Sequence, residues 1–186
     1  MALSSIEIFN LSFLPRSGFK GGGTLSAMQA RGLTFENQPN RAFRQDDGTL
    51  CLVLAATEVF LLGSLGGNNT RLEELETTWH IEDAKGSYLM PRCHTHAWFA
   101  LEGDRVPEML AKLCAVDFRP SVFGDLSIAQ TSVARLNSIV LRADLEKRRI
   151  YHLLADSTCS SYMLACLKDA AEEFGGRVKD AERLLS

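Results

Sequence analysis

Between His96 and Gly175 the chain alternates strand-length apolar runs with two amphipathic helical stretches, and that order limits its possible folds more than any other feature. The stretch reads strand, helix, long turn, strand, strand, helix. It runs through HAWFALEG, DRVPEMLAKL, CAVDFRPSVFGD, LSIAQTSVARL, NSIVLRAD, RIYHLLAD and STCSSYMLACLKDAAEEFGG. In the first helix Val106, Met109, Leu110 and Leu113 follow the i, i+3, i+4, i+7 spacing of one buried stripe. Asp104 is placed to cap it, Pro107 and Glu108 suit its first turn, and Lys112 suits its last. The second helix repeats the stripe with Met163, Leu167, Ala170 and Phe174, with Ser157 or Thr158 as cap and Gly175-Gly176 as stop. A two-layer α+β domain is the prediction.

The chain of 186 residues is one domain or two small, closely packed lobes. With 46% hydrophobic and 23% charged residues it can bury a core. A net charge of -3 argues against a nucleic-acid partner, which requires a basic face. The longest apolar run, Leu50 to Ala56, is far short of the ~20 residues a membrane helix needs, so no membrane association is expected. Glu7 and Asn10 interrupt the apolar N-terminal stretch and no basic segment precedes it, so no signal peptide is read there. Five cysteines, at 51, 93, 114, 159 and 166, are scattered in apolar or strand-like settings, which predicts reduced thiols and a cytoplasmic protein.

The N-terminal half opens with Ile6-Glu7-Ile8-Phe9-Asn10-Leu11, an alternating edge strand or a docking arm. Ile6, Ile8, Phe9, Phe13 and Leu14 are apolar where termini are usually polar, which raises the expectation of a partner-covering arm. The run Arg16 to Gly23, RSGFKGGG, precedes a short helix with Thr24 as cap, Leu25 and Met28 inside and Gly32 at its end. A glycine run feeding a helix start can hold a phosphate, but Lys20 precedes the glycines and Ser26 stands where a dinucleotide fingerprint needs Gly. A structural turn is the simpler reading. Residues 33–48 are polar, with a turn at Asp47-Gly48. TLCLVLAA and EVFLLGS form a hairpin, and a capping box, Thr70-Arg71-Leu72-Glu73, opens a helix carrying Leu72, Leu75 and Trp79.

The hairpin-then-helix unit returns about ninety residues later in NSIVLRAD, RIYHLLAD and the helix at 160–174. Two pseudo-repeated hairpin–helix lobes with ferredoxin-like packing, near 1–92 and 93–186 of a single domain, account for that recurrence. In the tail, Val178, Ala181 and Leu185 suit a final short helix.

The one dense donor cluster is Cys93-His94-Thr95-His96. On a strand His94 and His96 face the same way and can share a metal, but no third ligand stands out. His80 and His152 are isolated. Gly63-Ser64-Leu65-Gly66 has the wrong spacing for a nucleophile elbow, and Cys93 and His94, adjacent on a strand, point apart. Asp46-Asp47, Glu73-Glu74 and Glu172-Glu173 read as turn and helix-surface carboxylates, and Lys147-Arg148-Arg149 as a solvated hairpin tip. No residue is assigned a catalytic, cofactor-binding or metal-binding role.

Three segments together resemble the gamma subunit of heterotetrameric sarcosine oxidase. The first is Arg16-Ser17-Gly18-Phe19-Lys20-Gly21 with its helix, then Pro39-Asn40-Arg41 and Asp47-Gly48. The second is Leu54-Ala55-Ala56-Thr57-Glu58-Val59-Phe60-Leu61-Leu62, similar to a strand–turn–strand with an acidic residue at the turn. The third is Leu113 to Phe123, then Ala129-Gln130-Thr131 and the Tyr162–Ala171 helix. The family falls within the glycine-cleavage T-protein-like group, so the resemblance implies a T-protein-like folate-binding-domain fold of α+β class. It implies a non-catalytic accessory subunit of a complex that oxidatively demethylates sarcosine or a related N-methyl amino acid, as in N-methylglutamate dehydrogenase. FAD, FMN, NAD and tetrahydrofolate are then held by partner alpha, beta and delta subunits, and none by this chain. T-proteins carry an acidic residue for folate chemistry in the turn of a strand pair. The corresponding stretch here, Val133 to Ser138, has no carboxylate. The alternative is a free-standing folate-binding or one-carbon-transfer protein of T-protein descent.

Overall fold

The computed structural model describes residues 5–83 and 85–185. In chain order the first elements are β1 (Glu7–Asn10), β2 (Arg16–Lys20), α1 (Thr24–Ala30), β3 (Arg41–Arg44), β4 (Leu50–Ala55), β5 (Glu58–Leu62), α2 (Thr70–Thr77) and β6 (Tyr88–Leu89). The rest are β7 (His96–Glu102), α3 (Val106–Leu110), β8 (Ile128–Val133), β9 (Leu136–Arg142), β10 (Ile150–Asp156), α4 (Ser160–Glu172), β11 (Arg177–Lys179) and α5 (Glu182–Leu185). The chain divides into two compact units, residues 13–94 and residues 5–12 with 95–185. Each carries one sheet.

In the unit of residues 13–94 five strands run in the order β3-β4-β5-β2-β6. The predicted hairpin is β4–β5, turning at Ala56-Thr57. Phe19, Val53, Val59 and Leu61 from the strands meet Met28, Leu33, Phe35, Leu72 and Leu75 in one core. Trp79 packs against Phe19 with ring centroids 4.7 Å apart and the rings tilted by 54°. The capping box does not form. Asn69 stands at the N-cap of α2 with no side-chain cap bond, because its Oδ1 accepts the Ser64 amide at 2.9 Å. The Asp47-Gly48 turn is present, with the Thr49 amide donating to Asp47 Oδ1 at 2.9 Å. The polar stretch before it holds β3, a strand the sequence reading does not contain.

The other unit has six strands in the order β11-β1-β7-β10-β9-β8. The predicted hairpin is β9–β10, and Ile128–Val133 adds a third antiparallel strand beside it. One face of this sheet packs Phe99, Val140, Leu153 and Tyr151 against Val106, Met109, Leu110, Met163, Leu167 and Ala170. These are the stripes read from the sequence, except that Leu113 and Phe174 are only partly buried. Asp104 does not cap α3 but pairs with Arg149 at 2.8 Å. Neither Ser157 nor Thr158 caps α4: both lie in a 3₁₀ turn, Ser157–Cys159, that Asp156 caps by accepting the Thr158 amide, and Cys159 at the N-cap of α4 makes no side-chain cap bond. Gly175, with φ of 66°, ends the helix as predicted, and the Gly176 amide donates to Ala171 O at 2.9 Å.

The N-terminal segment is the largest correction. It is neither an edge strand nor an arm: β1 lies inside the sheet, antiparallel to β7 and parallel to β11. Ile6, Ile8 and Phe9 are fully buried. An N-terminal strand of this composition completes its own sheet, which places it in the same unit as residues 95–185 rather than with the first lobe. The tail also differs: Val178 lies on β11, and Leu184, not Leu185, is the buried residue of α5.

Candidate functional site

The residues singled out for chemistry are mostly accounted for by local structure. Only His96 of the Cys-His-Thr-His run is on a strand, since 93–95 form a turn, so His94 and His96 do not share a strand face. Cys93 Sγ instead accepts the Arg16 amide at 3.3 Å. Among the described residues no group of three or more His, Cys, Asp or Glu side chains is placed to hold a metal ion. Burial pushes the Cys51 thiol up to about 12, which removes it as a nucleophile near neutrality.

The glycine run is a packing device. A Cβ at Gly21 would stand 2.0 Å from Gly86 O and one at Gly23 2.1 Å from Lys85 O. The amides of Gly21 and Gly23 already donate to Thr57 O and Gly86 O, at 2.8 and 3.1 Å. Thr24 is not a cap, because its hydroxyl is buried against Ser87 Oγ at 3.0 Å. Lys20, which ends the strand leading into the loop, pairs with Glu58 at 2.9 Å, and Arg92 reaches the same carboxylate at 2.7 Å. Asp46 and Asp47 both hold Arg71. At the β9–β10 tip Arg148 grips both oxygens of Glu102 at 2.8 and 2.7 Å, so that tip is ion-paired rather than simply solvated.

What the strands do assemble is a cleft of about 360 Å³ on the face of the six-stranded sheet opposite α3 and α4, lined by His96, Gln130, Thr131, Asn137, Ser138, Ile139 and Leu154. Register puts Gln130, Ile139 and Leu154 in one row across β8, β9 and β10, with Asn137 and His96 beside it. Thr131 and Ser138 alternate with them, and the Thr131 hydroxyl lies 3.7 Å from Cys114 Sγ in the core. His96 Nδ1 meets Thr95 Oγ1 at 2.8 Å. Opposite it in register, Asp156 is held below the ordinary carboxylate range by the Thr158 hydroxyl and amide. Amide, imidazole and aliphatic groups of this kind suit an uncharged polar ligand group, and the lining brings no thiol or carboxylate to it. The cleft escaped the sequence reading because LSIAQTSVARL was not paired with NSIVLRAD.

The turn between β8 and β9 is Ala134-Arg135, with φ of 48° and 68°. Both central residues at positive φ define a type I′ hairpin turn. The Ala134 amide donates to Leu113 O at 2.9 Å and its carbonyl accepts the Tyr162 hydroxyl at 3.1 Å. No carboxylate occupies this turn.

No family model matches the chain, and neither does any curated protein. Among solved structures it is similar to a chain of heterotetrameric sarcosine oxidase from Corynebacterium sp. U-96, solved with pyrrole 2-carboxylate. The TM-score is 0.76 at 20% identity, over 92% of this chain and 86% of that one. It is also similar to the glycine cleavage system aminomethyltransferase T from Bartonella henselae, with a TM-score of 0.62 at 12% identity over 96% of this chain. The chain spans about half of that protein's length, 48%. The fold is of their kind. It is a mixed α+β chain with two sheets, and no helix among the described residues is long and apolar enough to cross a membrane.

Proposed function

We propose that the chain is a non-catalytic accessory subunit, of gamma type, in a complex that oxidatively demethylates sarcosine or a related N-methyl amino acid with tetrahydrofolate as one-carbon acceptor. The observation that carries this reading is the sarcosine oxidase likeness, which extends over most of both chains. The sequence adds order: the Arg16–Gly21, Leu54–Leu62 and Leu113–Phe123 segments follow one another as in that family. FAD, FMN, NAD and folate belong, in this reading, to the alpha, beta and delta subunits, and the assembly is cytoplasmic. The carboxylate-free turn at Ala134-Arg135 and the ion-paired state of Glu58 both favour a chain without its own folate chemistry. In the same reading the two hairpin–helix arrangements, β4–β5–α2 and β9–β10–α4, are the pseudo-repeated lobes of a single ferredoxin-like, T-protein-derived domain.

Co-expression with candidate alpha, beta and delta subunits tests the proposal. A yellow complex that purifies with this chain and oxidises an N-methyl amino acid is expected, while the chain alone is colourless and inactive. If the larger subunits assemble and turn over without it, or the isolated chain binds tetrahydrofolate stoichiometrically, the reading fails. The second result would favour the free-standing folate protein.

A further inference from the structure

Helix α4 ends against its own dipole. The free carbonyls of a helix C-terminus favour cations, yet the last turn of this 13-residue helix has no basic residue. It carries Asp169 and Glu172 instead, with Glu173 next at the C-cap. Glu173 is answered by Lys112 at 3.5 Å. The Asp169 and Glu172 carboxylates make no hydrogen bond or ion pair among the described residues.

Both carboxylates line a cleft of about 300 Å³ along α4 and β11, together with Lys168, Arg177, Ile8 and Val178. Two cations and two carboxylates thus share one cleft, and none of them pairs with another among the described residues. Lys168 and Glu172 stand four apart on α4, the spacing of a helical ion pair, and do not form one. Arg177 lies opposite Glu7 in register, but Glu7 is taken by Arg183 at 2.8 Å. Elsewhere in this unit Arg105, Arg119, Arg142, Arg148 and Arg149 each hold a carboxylate. Ile8 and Val178, opposite each other in register, give the cleft an aliphatic surface, and Val178 is 42% exposed.

We propose that this cleft binds a small aliphatic α-amino acid as its zwitterion. The balance of the lining selects that class. An anion leaves the two carboxylates unanswered and a cation leaves Lys168 and Arg177 unanswered, whereas a zwitterion meets both sets at once. Its ammonium goes to Asp169 and Glu172, where the carbonyl end of α4 adds negative potential. Its carboxylate goes to Arg177, whose planar fork of N–H donors fits two oxygens, with the Lys168 ammonium as second cation. Its side chain lies on Ile8 and Val178. The cleft volume is at the low end for small-molecule sites, as an amino acid requires. Acidic residues set against the helix dipole are the kind of local conflict that a binding site explains. This inference does not rest on the accessory-subunit reading, and either one can fail alone.

Titration of the full chain with L-leucine, followed by amide NMR, provides the test. Saturable shifts are expected at residues 168–178 and on β1. Two analogues dissect the charges: 4-methylpentanoate lacks the ammonium, and 3-methylbutylamine lacks the carboxylate. Each is expected to bind at least about tenfold more weakly than leucine. Arg177→Gln and Asp169→Asn are each expected to weaken leucine by about tenfold. Glu172→Gln is expected to weaken it too while raising the melting temperature, because it removes a charge opposed to the helix dipole. Lys147→Gln, outside the cleft, is expected to change neither. Absence of saturable shifts at millimolar leucine overturns the proposal. So does an analogue that binds as tightly as leucine, or affinity that survives both Arg177→Gln and Glu172→Gln. A stability gain in Glu172→Gln with no leucine binding in the parent marks a merely solvated helix end and overturns it as well.

Discussion

Trp98 donates its indole N–H to Nδ1 of His152 across 3.0 Å, and both side chains are buried. Register places them on β7 and β10 of the six-stranded sheet, on the face away from α3 and α4. The sequence shows His152 as an isolated histidine. In the structure it is the acceptor that allows a tryptophan to be enclosed.

Replacing His152 by Leu keeps apolar bulk but leaves the Trp98 N–H without that acceptor. A loss of about 1–3 kcal/mol is expected, the usual cost of a buried donor left unsatisfied. Urea denaturation followed by tryptophan fluorescence, in a Trp79→Phe background, measures it. An unchanged midpoint would show that the bond contributes nothing.

Leu167 is fully enclosed between α4 and the sheet. Leu167→Ala is expected to cost about 2–5 kcal/mol, while Phe13→Ala, at a side chain 65% exposed, changes stability little. Thermal scans of the two variants side by side check the assignment of the stripe.

Stability should also fall with acid. Arg119 holds the exposed Asp117 carboxyl at about 2 by direct hydrogen bonds. At Asp47 burial pushes the carboxyl up, but the Thr49 amide and the Arg71 guanidinium outweigh it, and the group sits below its ordinary range. At Asp156 the Thr158 hydroxyl, then its amide, lower the carboxyl. A carboxyl whose folded value lies below its unfolded value of about 3.9 stabilises the fold above that pH, and the contribution is lost as pH falls through the folded value. The denaturation midpoint is therefore expected to drop between about pH 5 and pH 2. Asp47→Asn should flatten part of that drop, and an equally steep profile in that variant would remove Asp47 from the account.

Legibility divides along physical lines. Helix stripes and apolar hairpins depend on spacing alone, so Met163, Leu167 and Ala170 were readable, as was the β4–β5 hairpin. Capping depends on which competing partner is nearest, and there the sequence misled: Asp104 went to Arg149 and Thr24 to Ser87, while the box expected from Thr70 did not form. Polar strands are the other blind spot. β3 and β8 carry too few apolar residues to announce themselves and are fixed by their neighbours, so the cleft beside Gln130 and Asn137 was hidden with them.

The fate of β1 is where local pattern and tertiary partner diverge most. An apolar N-terminal segment satisfies the pattern of a docking arm and of an inner strand equally, and only the existence of β7 and β11 as neighbours decides. Deleting residues 1–14 is accordingly expected to unfold the chain rather than to leave a folded protein that merely fails to assemble. A truncated chain with native circular dichroism and a cooperative melt would contradict this.

The Ala134-Arg135 turn gives the last prediction. Neither residue is Gly, Asn or Asp, yet both have positive φ, a conformation that costs an L-residue roughly 1–2 kcal/mol. Ala134 is buried against the core and cannot be enlarged freely, but Arg135 is exposed. Arg135→Gly removes the strain at that position and adds unfolded-chain entropy worth about 0.4–1 kcal/mol. The net expectation is a gain of up to about 1 kcal/mol in chemical denaturation. A variant that loses stability would mean that the Arg135 side chain makes contacts that outweigh the strain of its backbone.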